Sequence, residues 1–87
     1  MYLYLGNETV IDSEKIIGIF DLDTSTISKN TRNLLSVCQK ENRIINVTYE
    51  LPKSFILYNF DGEISIYLSQ ISTSTLIKRM SKGGKVL

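Results

Sequence analysis

Asp21 and Asp23 are the two side chains of this chain best spaced to act as a pair. They follow the apolar run 16–20, and on a strand alternate positions share a face, so both carboxylates would project together from its end. The plain alternative is that they end a strand and solvate a loop. Little else in the composition supports enzymology, because the chain has no histidine and one cysteine. Histidine is the side chain that titrates unperturbed near neutral pH, and it is the commonest zinc or iron ligand. Without it, Ser-His and Cys-His nucleophile pairs are impossible, and a zinc site would need an all-carboxylate set. The chain therefore reads as a non-enzyme: no catalytic residue, metal, cofactor or small-molecule substrate is expected. The single Cys38 excludes an intramolecular disulfide and fits a reducing cytoplasm.

The cations offer a different chemistry. A formal net charge of +1 conceals segregation along the chain. Glu8, Asp12, Glu14, Asp21 and Asp23 face only Lys15 in residues 1–25, whereas Lys78, Arg79, Lys82 and Lys85 close the chain with no acid among them. If folding keeps these regions apart, a basic side attracts polyanions and two unlike sides can dock head to tail. If folding intersperses them, neither follows. Lys29 and Arg32 lie one turn apart at the start of a predicted helix, where cations oppose the helix dipole by about 0.3–1 kcal/mol each. A bound phosphate would reverse that cost, and so would pairing with Asp21 or Asp23. Lys78 and Arg79 fall in a last helical turn, which favours cations without any partner.

The elements that must position these groups follow from periodicity. Eighty-seven residues, 43% of them hydrophobic, make one domain with a modest core. Residues 2–5 read as a strand, Gly6-Asn7 as a turn and 9–11 as the return strand. Asp12 or Ser13 opens a tight turn into 16–20, a nearly all-apolar run of the kind buried on both faces. Gly18 within it predicts a bulge or a close backbone approach. Ile27, Thr31, Leu34, Leu35 and Cys38 recur at helical steps, placing Cys38 in the packed stripe of an amphipathic helix that Asn42 stops. Strands follow at 44–48, 54–58 and 64–68, with Asp61-Gly62 as a hairpin turn. Ile64, Ile66 and Leu68 alternate with Ser65, Tyr67 and Ser69, which predicts one buried face. Ser72-Thr73-Ser74 caps a short helix to about Met80. The result is an α+β domain of about six short, mostly antiparallel strands, one central amphipathic helix and a short C-terminal helix. The layer rule places both helices on one side of the sheet. Residues 1–80 form the domain and 81–87 a flexible basic tail. Apolar runs fall far short of the ~20 residues a spanning helix needs, so no membrane partner is expected. Tyr2 and Tyr4 alternate with Leu3 and Leu5, making this strand apolar on both faces. That is accommodated either in the core or at a subunit interface, and the small core favours a homo-oligomer larger than a dimer.

Two resemblances bear on function. Asp21-Leu22-Asp23-Thr24-Ser25 resembles the D-x-D motif of haloacid-dehalogenase phosphatases, which implies a nucleophile, an acid/base and a magnesium ion. With the apolar run 16–20 before it the resemblance covers ten residues, places Thr24 where that family usually has Gly, and belongs to a much longer fold. A magnesium-dependent phosphatase is therefore the remote alternative.

Three further segments together resemble the RemA/RemB family of small bacterial regulators. They are Met1-Tyr2-Leu3-Tyr4-Leu5-Gly6 with Val10 and Ser13-Glu14-Lys15-Ile16-Ile17; Pro52-Lys53-Ser54; and Leu68-Ser69, Ile71-Ser72, Thr75-Leu76 and Lys78-Arg79. The similarity runs to about Met80, and the Tyr-rich start and Pro-Lys-Ser look closer to RemB. It implies a ring-shaped homo-oligomer that binds double-stranded DNA and controls extracellular-matrix (biofilm) genes. One basic position of RemA-like proteins corresponds to Lys15. The other, an arginine-rich loop, here reads Tyr49-Glu50-Leu51-Pro52-Lys53, so its arginines are replaced, an acid has entered and only Lys53 remains nearby. The expected DNA contacts are Lys15, Lys53, Lys78 and Arg79, then Lys29 and Arg32, all to phosphates because no base-reading helix is evident. The expected oligomer contacts are Tyr2 and Tyr4. An accessory module that binds a protein partner instead of DNA is the rival.

Overall fold

The computed structural model describes residues 1–22, 29–48 and 50–81. The chain opens with a hairpin, β1 (Tyr2–Gly6) and β2 (Thr9–Asp12), paired antiparallel with Leu3 opposite Ile11 and Tyr4 opposite Val10. Its reversal rests on Asn7 and Glu8, both at positive φ (46° and 63°), the backbone of a type I′ hairpin turn. Alternation sends Leu3, Leu5 and Ile11 into the core and leaves Tyr2, Tyr4 and Val10 outside. A 3-10 turn, Ser13–Lys15, follows, and the Asp12 carboxylate accepts from the Glu14 N–H (3.0 Å) as its cap.

The main sheet has four strands, ordered β3 (Ile16–Asp21), β5 (Ser54–Phe60), β6 (Glu63–Ser69) and β4 (Ile44–Asn46). All neighbours are antiparallel except β4 and β6, where Ile44 lies beside Ile66 in a parallel pair. The run 16–20, expected to be buried on both faces, is instead an edge strand with Ile17 56% exposed. The doubly buried strand is β5, whose residues Ser54 to Tyr58 are all buried. Gly18 does mark a bulge: the β3–β5 register shifts between Ile16 and Gly18. A Cβ on Gly18 would stand 2.7 Å from the ring of Phe20, which stacks on Phe55.

α1 (Lys29–Lys40) ends where its sequence signal lies. Asn42 takes φ of 57°, its N–H reaches the Gln39 carbonyl (3.2 Å), and Arg43 N–H reaches the Cys38 carbonyl (2.8 Å). These two bonds form a Schellman cap with Asn at the left-handed position. Strand 44–48 closes early, because the Asn46 side chain accepts from Thr48 N–H (3.1 Å) and turns the backbone out of the ladder. The β5–β6 hairpin turns on Asp61 and Gly62, both at positive φ, as expected. α2 (Thr73–Ser81) starts from Ser72, whose Oγ accepts from Thr75 N–H at 3.3 Å.

The helices do not share a side. Leu34, Leu35 and Cys38 of α1 pack with Phe55, Leu57 and Ile66, whereas Leu76 of α2 packs with Leu3, Leu5, Ile11, Ile56 and Tyr58. Phe55 and Leu57 point to one face of β5 and Ile56 and Tyr58 to the other, so the sheet lies between α1 and a layer made of the hairpin and α2. That second cover also explains β6. Its face bearing Tyr67 and Ser69, expected in solvent, lies under the β1–β2 hairpin: Ser69 is fully buried and its Oγ donates to the Leu5 carbonyl at 2.7 Å. Cys38 is a buried core thiol, as its position in the stripe requires.

Candidate nucleic-acid interface

All six cations singled out by the sequence are exposed. Lys15 and Lys53 fall at opposite ends of β3. Lys15 closes the 3-10 turn just before Ile16, and Lys78 and Arg79 stand in the last turn of α2. Ile77 and Met80 of that turn line one groove with Ile16, Ile17, Gly18 and Ile19, which brings the last turn of α2 beside the start of β3. Arg79 also reaches back to the first strand, its guanidinium donating to the Tyr4 carbonyl at 3.4 Å.

Lys53 lies at the far end. Ile16 pairs with Tyr58, but Asp21 pairs with Ser54, so Lys15 and Lys53 are separated by the length of β3, roughly 17 Å at strand rise. The Lys53 backbone is held on both sides, its N–H donating to Ser69 (2.8 Å) and its carbonyl accepting from Leu22 (2.9 Å). Lys29 and Arg32 open α1, whereas Cys38, late in the same helix, lies against the Ile64 carbonyl at the start of β6 (3.8 Å).

One subunit thus presents Lys15 before β3, Lys78 and Arg79 in the last turn of α2, Lys53 at the far end of β3, and Lys29 and Arg32 at the start of α1, all exposed. Arg43 is held by Glu41 (2.9 Å) and Glu63 (3.4 Å). Asp21 ends β3, and Asp23 lies outside the described residues, as do 82–87 of the expected tail. Among the described residues no three His, Cys, Asp or Glu side chains gather as metal ligands, and no helix is long and apolar enough to cross a membrane.

Two apolar features stand beside the cations. The outer hairpin face exposes Tyr2 (64%), Tyr4 (46%) and Val10 (53%). Leu51, 88% exposed, projects from the loop before Lys53, and sequence reasoning passed over it. Its signal was the entry of a leucine and Glu50 where the resemblance calls for arginines. On the hairpin side of the sheet Tyr58 and Tyr67 meet edge to face at 5.5 Å. Burial pushes the Tyr67 phenol above its ordinary value and the neighbouring Tyr58 adds to the shift, so it stays neutral through the physiological range.

The family described as RemA-like, extracellular matrix regulatory protein A-like, has a model that matches residues 2–80. The extracellular matrix regulatory protein B of Bacillus subtilis (strain 168) is 30% identical over 79 residues, covering 91% of this chain and 89% of the relative. The chain belongs to the RemA-like family. Its similarity to the B protein agrees with the Tyr-rich start and Pro52-Lys53-Ser54.

Proposed function

We propose that this protein is a non-enzymatic, cytoplasmic regulator of extracellular-matrix genes that binds duplex DNA as a ring-shaped homo-oligomer larger than a dimer. Membership of the RemA-like family across nearly the whole chain is the observation that carries this reading. The exposed cations support the mode of binding. The exposed cations of one subunit are too few for firm attachment, but a ring repeats each of them, and linked contacts make every later one intramolecular. The contacts are to phosphates, so they position the ring and carry no sequence information.

The test is a titration of duplex DNA at several salt concentrations. Each phosphate contact contributes about 0.9 to the slope of log affinity against log salt. Lys15→Ala and Lys53→Ala, present in every subunit, should flatten the slope and weaken binding to all sequences alike, with oligomer size unchanged. Binding that is strong but indifferent to both would move the site to Lys78 and Arg79 or to Lys29 and Arg32. Absence of binding at low salt with the oligomer intact would defeat the DNA reading.

A second reading has its own observation. Leu51, almost fully exposed beside Glu50, occupies the loop in which cations were expected. An exposed leucine next to an acid suits a protein partner better than a phosphate backbone, which favours an accessory module in that outcome.

A further inference from the structure

We propose that Thr48 is a positioning residue, its buried hydroxyl setting the shape of the loop before β5 and so the place of Lys53, one of the proposed DNA contacts. The inference rests on the DNA reading above and adds to it a residue that touches no phosphate. The loop runs from the end of β4 at Asn46 to the start of β5 at Ser54. Both its ends are tied to the last residues of β6. Val47 N–H donates to the Leu68 carbonyl (3.0 Å) and Lys53 N–H to the Ser69 carbonyl (2.8 Å), while the Lys53 carbonyl accepts from Leu22 N–H (2.9 Å).

Between these ties side chains shape the backbone. Thr48 is 6% exposed, whereas Glu50, Leu51 and Lys53 stand in solvent. A hydroxyl so deep must be paired, and this one is paired both ways. Its Oγ1 donates to Gln70 Oε1 (2.6 Å) and accepts from Glu50 N–H (2.9 Å). The Thr48 N–H in turn donates to Asn46 Oδ1 (3.1 Å). Asn46 and Thr48 thus make two successive side-chain turns, each capturing the N–H two residues on. The Asn7 side chain, from the β1–β2 turn, donates to the Val47 carbonyl between them. Gln70 follows directly on β6, so the Thr48–Gln70 bond joins the bend to the strand end that also holds Lys53. Pro52 narrows the freedom that is left, since its ring fixes φ and disfavours helical backbone at Leu51. A lysine on a loop already shaped meets a phosphate without an ordering cost, and in a ring that saving recurs at every copy. Without the Thr48 hydroxyl the loop must be ordered on binding, and Lys53 contributes less.

Thr48→Val keeps the branched shape and removes the hydroxyl, whereas Thr48→Ser keeps the hydroxyl. Two measurements on these variants test the proposal. In amide exchange, Glu50 N–H should exchange about fivefold faster or more in Thr48→Val and near the wild-type rate in Thr48→Ser. The Val47 and Lys53 amides, held by backbone carbonyls, should change far less. In titrations of duplex DNA at low salt, Lys53→Ala should weaken binding by at least about twofold less in the Thr48→Val background than in wild type. In the Thr48→Ser background its full effect should return. A threonine that only stabilises the fold would leave the effect of Lys53→Ala unchanged. Equal effects in both backgrounds, binding indifferent to Lys53 in wild type, or a Glu50 amide indifferent to the hydroxyl would each overturn the proposal. If Thr48→Val fails to fold, Gln70→Ala removes the other half of the bond from an exposed position and should show both effects in smaller measure. Wild-type protein that binds no DNA would defeat the DNA reading and the role of Lys53 with it, and exchange at Glu50 then decides the shaping of the loop by itself.

Discussion

Ser54 and Ser69 stand opposite each other across β5 and β6, both fully buried. Their hydroxyls serve as joints between the sheet and its covering layer. Ser54 Oγ donates to the Ile71 carbonyl (2.9 Å), while Ser69 Oγ donates to Leu5 (2.7 Å) and accepts from Ile71 N–H (3.0 Å). Ser69→Ala would strand the Leu5 carbonyl and the Ile71 N–H together, and each buried polar group left unpaired costs about 1–3 kcal/mol. Urea unfolding should show a loss within or above that range, whereas Ser65→Ala on the same strand should change stability by less than about 0.5 kcal/mol. The alternation along β6 placed both serines on the polar face. It could not show that this face lies under a hairpin, because the contact joins residues 64 positions apart. The cations were legible in the same limited way, by type and exposure. The separation of Lys15 from Lys53 depends on the β3–β5 register, which no local pattern encodes.

Local signals fared best where an element ends. Asn42, Asp61-Gly62 and Ser72 each act through their own backbone or side chain within a few residues, so composition alone announces them. Element placement is different. Nothing in residues 16–20 distinguishes an edge strand from a central one, and two amphipathic helices with one apolar stripe each fit one side of a sheet as well as two. The structure sets α2 beside the hairpin, with Leu76 at 0% exposure among Leu3, Leu5, Ile56 and Tyr58. Leu76→Ala opens a cavity between three elements and should cost about 2–5 kcal/mol. Because α2 also holds the hairpin, with Arg79 donating to the Tyr4 carbonyl, the same variant should loosen the expected oligomer contacts at Tyr2 and Tyr4 as well as the fold. Chemical denaturation followed in parallel with sizing would show the two losses together.

At the scale of the molecule, a chain of 87 residues buries one four-stranded sheet between a helix and a mixed layer, yet leaves Tyr2, Tyr4, Val10, Ile17 and Ile77 outside. A domain this small gains stability from association, and the proposed cation contacts gain affinity only when repeated. Assembly therefore joins the fold to the proposed function, and the mass of the purified protein tests it directly. Light scattering coupled to gel filtration at micromolar concentration should give a single species of more than two chains. A monodisperse species at 9.9 kDa would contradict the ring and remove the basis for DNA binding through repeated phosphate contacts.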